Sequence, residues 1–427
     1  MSIFVITDDL TGANDTAVQF AKQGLRTLVY LETPKDSLSV EPAPVQVFNT
    51  DSRALPAEEA KQRIRNMLRM LPLSSTDLLY KKIDSTLRGN IGVEVTEALK
   101  YSNRELAFVA PAYPKYRRTT QEGVHYVNGT PVADTEAARD PRCPVLSSHI
   151  SDLFRFPGSL PVQGIPLRVL RLGSPALKNQ IETLKKEGKR IFIFDAETED
   201  DLSILANTGL IKEFSILWVG SAGLAEALST VYLAKETFTP FRPSSLTSPT
   251  SNPKPVLVLL GSMSEVATKQ AEAFLSVSQA QSFILLPEQL ASNPKITVYE
   301  LVKNLEKSLS RGLHTLLMSD RRKWKPSSPN ELDPISLILD AFRQVGETLN
   351  FSLCSGLIVT GGDIATAVCR GMGVRSIEVH RETSPGIPLG LIQGGKWEGL
   401  PLVTKAGAFG APDAIIQAAR TLCITPL

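Results

Sequence analysis

The densest gathering of reactive side chains runs Tyr80-Lys81-Lys82-Ile83-Asp84-Ser85-Thr86-Leu87-Arg88-Gly89-Asn90-Ile91-Gly92. Cations pair with an acid group, while carboxylates and hydroxyls hydrogen-bond to alcohols, so the stretch suits a small anion bearing several OH groups. A solvated turn accounts for the charges but not for the glycines and the Asp-Ser-Thr run. Two further clusters fit the same chemistry. In Ile6-Thr7-Asp8-Asp9-Leu10-Thr11-Gly12-Ala13-Asn14-Asp15 a β-type run ends on two carboxylates and a helix opens behind them. The free N–H groups of a helix start favour an anion, and paired carboxylates favour a polyol or a magnesium ion. A plain Asp N-cap is the alternative. In Asn49-Thr50-Asp51-Ser52-Arg53 the guanidinium has the fork that clamps a carboxylate, with a surface salt bridge as the competing reading.

A second kind of corner lies further along the chain. Leu260-Gly261-Ser262-Met263-Ser264, Val359-Thr360-Gly361-Gly362-Asp363 and Lys405-Ala406-Gly407-Ala408-Phe409-Gly410 each follow an apolar run. Glycines let backbone N–H groups approach phosphates closely, so the three together point to a nucleotide pocket. None is a GxxxxGK[ST] loop, and no GxGxxG dinucleotide fingerprint occurs. Gly220-Ser221-Ala222-Gly223 is a similar corner, open between close helix packing and a contact between domains. A small anion in one half and a nucleoside triphosphate in the other add up to phosphoryl transfer, in which Mg²⁺ bridges phosphate oxygens and a carboxylate takes or orients the acceptor hydroxyl. Asp363 is the first candidate for that base; Asp9 and Asp84 are the rivals.

These clusters need elements to hold them. Strand-like runs fall at 3–7, 27–31, 45–49, 78–81, 106–110, 168–172, 190–195 and 216–219, then at 256–260, 283–286, 315–318, 357–360, 376–379 and 402–405. Helical periodicity appears between them. Ala60, Ile64, Met67, Leu68 and Leu71 recur at helical spacing until Pro72 stops the run, and Ala13, Ala17, Phe20 and Ala21 do so before Gly24. Strands separated by helices imply an α/β fold with mainly parallel sheets flanked by helices, and ligands sit at the carboxyl ends of such strands. Every cluster named above occupies that position. The segment 239–255, TPFRPSSLTSPTSNPKP, is too rich in Pro, Ser and Thr for a core and reads as a linker. It separates an acid-binding domain, 1–238, from a nucleotide-binding domain, 256–427, with the active site expected in the cleft between them. Residues 111–166 break the alternation with prolines and turns, including a hairpin about Asn128-Gly129. So long an excursion is expected to be a functional loop or flap, or else an inserted structural ribbon.

Composition narrows the classes. The chain has 427 residues, 42% hydrophobic and 21% charged, which is a globular balance and a prior of two to three domains. A formal charge of +2 argues against a wholesale nucleic-acid or membrane-surface binder. Cys143, Cys354, Cys369 and Cys423 lack zinc or disulfide spacing and fit a reducing cytoplasm. The N-terminus has no basic region followed by a long apolar one, so a secretory signal is not expected, and no apolar run is long enough to span a bilayer.

In this order, DDLTGANDTAVQFAKQG, NTDSRA, KKIDSTLRGNIGVEV, GSAGLA, GSMSEVATKQ, TGGDIATAV and KAGAFG resemble the four-carbon acid sugar kinases over nearly the whole chain. The DDLTGANDT and KKIDST forms look most like the branch acting on D-threonate. The D-erythronate and 3-oxo-tetronate branches are the runners-up, differing by one stereocentre or one oxidation level. The resemblance implies an N-terminal domain that binds the sugar acid, a C-terminal domain that binds ATP, and transfer to the terminal C4 hydroxyl. Carried over by motif, Asp9, Arg53, Lys82, Ile83, Asp84, Ser85 and Arg88 would serve the acid; Gly261, Ser262, Thr360, Gly361, Gly362, Asp363, Lys405 and Gly407 would serve ATP. On charge, Lys82, Arg53 and Arg88 would pair the carboxylate, and Asp9 and Asp84 would accept hydroxyl hydrogens. Arg53→Ala is then expected to raise KM with little unfolding. The family's Gly-Arg-Thr is here Arg117-Arg118-Thr119, which leaves the backbone of that loop in question. A nicotinamide-dependent dehydrogenase and a non-enzymatic sugar-acid sensor are the readings from other classes. The partners implied are a small-molecule sugar acid and ATP, with homo-oligomerisation left open.

Overall fold

The computed structural model describes residues 2–32, 41–209, 214–233, 254–261, 264–277, 279–320, 333–407 and 409–423. The chain forms two compact α/β units, Met1–Phe241 and Arg242–Leu427. Most of the linker expected at 239–255 lies outside the described residues.

In the first unit, β1 (Ile3–Thr7), β2 (Thr27–Tyr30), β3 (Val45–Asn49), β4 (Leu78–Lys82), β5 (Leu106–Ala110), β9 (Val162–Ile165), β10 (Ile191–Phe194) and β11 (Ile216–Gly220) lie side by side in the order β2-β3-β1-β4-β11-β5-β10-β9. Every neighbouring pair runs parallel. Strands such as β1, β5 and β10 read as apolar runs, Ile-Phe-Val-Ile in β1, because helices cover both faces of the sheet. Those helices are α1 (Leu10–Ala21), α2 (Ala57–Met70), α3 (Ile91–Tyr101), α4 (Leu167–Leu170), α5 (Ser174–Lys186), α6 (Glu199–Gly209) and α7 (Ala222–Leu233). Ala60, Ile64, Met67 and Leu68 of α2 are its buried stripe, at the spacing a helix requires. The Gly220–Gly223 corner belongs to this packing. The Ser221 hydroxyl donates to Ala112 O at 3.0 Å, tying the start of α7 to the chain beyond β5.

The excursion folds into a small antiparallel sheet, β6 (Arg118–Gln121), β7 (Val124–Val127) and β8 (Thr130–Pro131), followed by single 3-10 turns. Its two hairpin turns, Glu122-Gly123 and Asn128-Gly129, have positive φ at both residues, as two-residue turns of this hand need. The excursion then returns to the main sheet as β9. The strand expected at 168–172 is instead the short helix α4. Pro166 follows β9 directly and lacks the N–H a continuing strand would use, so the extended run starts six residues earlier than the hydrophobicity suggests.

The second unit contains β12 (Leu257–Leu260), β13 (Ala280–Leu285), β14 (His314–Ser319), β15 (Leu357–Thr360), β16 (Ser376–Ser384), β17 (Ile387–Gln393) and β18 (Pro401–Lys405), in the order β13-β14-β12-β15-β18-β17-β16. Its helices are α8 (Glu265–Val277), α9 (Pro287–Ser292), α10 (Pro294–Ser310), α11 (Pro334–Thr348), α12 (Gly362–Gly371) and α13 (Ala414–Leu422). The first five strands in that order are parallel, while β17 and β16 turn antiparallel. No run was expected at β17, whose Pro388 and Gly390 are poor strand formers.

Candidate functional site

Three of the motifs follow β3, β1 and β4, which are adjacent in the first sheet, so its carboxyl edge gathers them. Asp8 and Asp9 leave β1. Asp9 caps α1, accepting from Gly12 N at 3.0 Å. Arg53 arrives from beyond β3 and forks onto Asp8, with Nε to Oδ2 at 2.7 Å and Nη2 to Oδ1 at 3.0 Å. The same Nη2 donates to Asp9 Oδ1 at 2.6 Å, and Nη1 lies 3.8 Å from Asp84 Oδ1. The fork expected to clamp a ligand is therefore occupied by the protein's own carboxylates.

Charge state follows from this geometry. Burial alone would raise the Asp8 pKa, but Arg53, backed by Lys81 and Lys82, outweighs it and holds Asp8 below its ordinary value. At Asp9 burial prevails: Arg53 pulls the carboxyl down, Asp8 and Asp84 push it up, and the result lies above the ordinary value. Burial would also raise Asp84, yet Arg88 and Arg53 hold it well below. Asp84 accepts from Arg88 Nε at 2.8 Å, Arg88 Nη2 at 3.2 Å and the Thr86 hydroxyl. Arg88 also reaches Asp140 at 3.1 Å.

Strand alternation separates the two lysines of β4. Lys81 is fully buried and pairs with Glu94 of α3 at 2.8 Å, while Ser52 donates to the other Glu94 oxygen at 2.6 Å. Lys82 lies over the start of α1. A Cβ on Gly12 would sit 2.6 Å from Asp9 Oδ1 and 2.8 Å from Lys82 Nζ, so only glycine lets those groups converge there. The Lys82 ammonium makes no ion pair among the described residues, in contrast to Arg53, Arg88 and Lys81. Ile83, grouped with the ligand residues by motif, turns its side chain into the hydrophobic core.

The excursion contributes groups that sequence reasoning did not assign. Arg118 Nη1 donates to the Ser85 hydroxyl. His125 lies 3.0 Å from Ser85 O and 3.0 Å from the Thr120 hydroxyl. The carbonyl can only accept, so Nε2 carries the proton and Nδ1 accepts from Thr120. Burial pushes His125 down to about 4, which keeps the ring neutral. Asp140 meets Arg88, and the Cys143 thiol donates to Arg53 O at 3.3 Å. Asp195 pins the first hairpin turn by accepting from Glu122 N at 2.8 Å and Gly123 N at 2.9 Å. The excursion is thus a wall of the acidic cluster. Arg117 takes φ 54° and ψ 37°, the left-handed conformation that glycine adopts freely. Arg117→Gly is expected to raise stability by about 1 kcal/mol, the strain relieved less glycine's entropy cost, as read by urea denaturation.

In the second unit β12, β15 and β18 are likewise adjacent, and their carboxyl ends bring the Gly-rich corners together. Gly261 is required by packing, since a Cβ there would fall 2.0 Å from Ile364 Cγ1 of α12. Ser262 lies outside the described residues. Thr360 is fully buried, and its hydroxyl finds no hydrogen-bond partner among the described residues. Gly361, at φ 100°, donates its N–H to Lys405 O at 2.8 Å, and Gly362 opens α12. Asp363 stands exposed in the first turn of that helix. Lys405 was grouped with the ATP contacts, but its ammonium is turned inward. It donates to Ala406 O at 2.8 Å, Gly407 O at 3.2 Å and Phe409 O at 2.9 Å. Among the described residues no three His, Cys, Asp or Glu side chains are placed to hold a metal ion, and no helix is long and apolar enough to cross a membrane.

Two family models match the chain. A family described as a sugar-binding N-terminal domain matches residues 3–228, and a nucleotide-binding C-terminal domain matches 257–415. The chain is 36% identical to the D-threonate kinase of Salmonella typhimurium, over 98% of this chain and 97% of the relative. It is 33% identical to that of Cupriavidus necator at the same coverage, and 30% identical to the D-erythronate kinase of Heliobacterium modesticaldum, over 97% and 95%. A solved structure from Salmonella typhimurium LT2 superposes with a TM-score of 0.81 at 22% identity, covering 98% of this chain and 99% of that one. Haemophilus influenzae protein HI1011 gives 0.71 at 22%, covering 98% and 100%. At that identity the likeness speaks for the fold.

Proposed function

The chain belongs to the four-carbon acid sugar kinases, and from that premise we propose that it transfers the γ-phosphoryl group of ATP to the C4 hydroxyl of D-threonate, giving 4-phospho-D-threonate and ADP. Membership of a kinase family sets aside the dehydrogenase and sensor readings. In this proposal the first unit holds the acid and the second holds ATP, which brings Mg²⁺ with it on its triphosphate. The described residues form no metal site of their own.

The observation that carries the acid site is the unequal pairing of its cations. Arg53 and Arg88 are committed to Asp8, Asp9, Asp84 and Asp140. Lys82 is left for the ligand's carboxylate. Asp9 Oδ1 is taken by Arg53 and Gly12, which leaves Oδ2 to accept a hydroxyl hydrogen. Asp84, surrounded by donors, orients Arg88 and Thr86. On the nucleotide side, the N–H groups at the start of α12, the Thr360 hydroxyl and Gly407 serve the phosphates.

Asp363 is the candidate base that takes the C4 proton, standing beside the Gly361-Gly362 corner. Asp9 is the second reading, favoured by its upward pKa shift; a carboxylate held low, as Asp84 is, makes a poor base. The test is coupled ADP release with ATP and Mg²⁺ over D-threonate, D-erythronate and 3-oxo-tetronate. D-threonate is expected to give the highest kcat/KM. A higher value with either of the others reassigns the substrate, and no ADP release with any of them removes the proposal.

A further inference from the structure

Lys405 ends β18 with almost no exposed surface, and no carboxylate among the described residues pairs with it. Its hydrogen bonds all go to carbonyls of the corner that follows. Two more side chains work on the same corner. The Ser264 hydroxyl donates to Gly407 O at 3.0 Å. Gln270 Nε2 donates to Phe409 O at 3.1 Å, Gly410 O at 3.1 Å and Ala411 O at 2.7 Å. A run of carbonyls is therefore drawn to one side. A turn whose carbonyls are gathered on one side can present its N–H groups on the other, the arrangement that binds anions.

We propose that Lys405 is a positioning residue for the nucleotide: its ammonium gathers the carbonyls of Ala406, Gly407 and Phe409, and so sets the corner that meets the triphosphate without itself touching a phosphate. The proposal rests on the reading of this corner as part of the ATP site. A buried ammonium held by neutral carbonyls alone is costly, and burial pushes Lys405 down to about 7. The neighbouring strands β15 and β17 carry no ionisable side chain. The charged or titratable groups on α12 and α8 are Asp363, Cys369, Arg370, Glu265, Lys269 and Glu272. None pairs with Lys405, and burial holds the Cys369 thiol neutral. Loss of a proton leaves two N–H donors where three carbonyls wait.

Two opposite trends follow. The folded pKa lies below the ordinary 10.5, so between about 7 and that value the unfolded chain binds more protons and this group's contribution to stability rises with pH. Over the same range the corner loses a tether and a positive charge, so KM for ATP rises. A role in stability alone would not move KM in this sense.

The experiment compares the wild type with Lys405→Met, Ser264→Ala and Gly407→Val, measuring KM for ATP, KM for the sugar acid and kcat across neutral pH. Lys405→Met is expected to raise KM for ATP about tenfold or more, as loss of charge-assisted hydrogen bonds implies, with smaller changes in the other two constants. The rise of KM above neutrality should also be flatter than in the wild type. Ser264→Ala should move KM for ATP in the same direction by less. Folded Lys405→Met with wild-type KM and pH profile overturns the proposal. If that variant does not fold, Ser264→Ala with unchanged KM overturns it instead. Gly407→Val separates the two levels. A raised KM there beside an unchanged Lys405→Met rejects only the positioning role, whereas unchanged KM in both rejects the corner as a nucleotide site.

Discussion

Arg53→Ala is expected to unfold in denaturant with about 3–5 kcal/mol less stability than the wild type, the usual cost of removing one member of a buried ion pair. The sequence alone gave a different expectation, a raised KM on an intact fold. The reason for the change is Asp8, buried and paired bidentately with Arg53, with Asp9 on the same guanidinium. Without the cation two adjacent carboxylates remain with only Lys82 and Lys81 near. The pH dependence gives an independent check. Asp8 has a folded pKa below its ordinary 3.8, so its contribution is present above that pH and is lost as the pH falls through the folded value. In the variant the same carboxyl is better protonated, and the deficit should shrink as the solution is acidified. A variant as stable as the wild type at neutral pH would show that Arg53 faces the ligand instead.

Lys82→Met is expected to raise KM for D-threonate about 100-fold or more, the scale for truncating one partner of a buried charge pair, while KM for ATP stays near that of the wild type. Methionine keeps the unbranched stem over Gly12, so packing survives. Steady-state kinetics with each substrate varied in turn reads the split. An unchanged KM for the acid would move its carboxylate to another cation, and Arg118 on the excursion is the next candidate.

Much of the architecture was legible in the sequence because parallel strands buried on both faces must be continuous apolar runs. The placement of the motifs was legible too, since each follows such a run. What the sequence did not disclose is how the charges pair. Arg53 is 45 residues from Asp8, and nothing local to Asn49-Thr50-Asp51-Ser52-Arg53 says its fork is already filled. The opposite fates of Lys81 and Lys82 were within reach, because period-two alternation sends neighbours in a strand to different faces. β9 and β17 escaped notice because proline and glycine interrupt them. The inward turn of Lys405 escaped because nothing in a Lys-Ala-Gly run says which way an ammonium points. The departure at Arg117 was visible, and the backbone there keeps the glycine-like conformation.

The wall beside the acidic cluster is fastened by groups that do not face a ligand, namely Asp195 under one hairpin turn and His125 against the Ser85 carbonyl. The excursion residues that meet Arg53 and Arg88, Cys143 and Asp140, lie outside any strand or helix. Holding the hairpin and holding the arginines thus fall to different positions. A change at Asp140 or Cys143 would therefore act on the arginines of the cluster while the hairpin turn held by Asp195 stays in place.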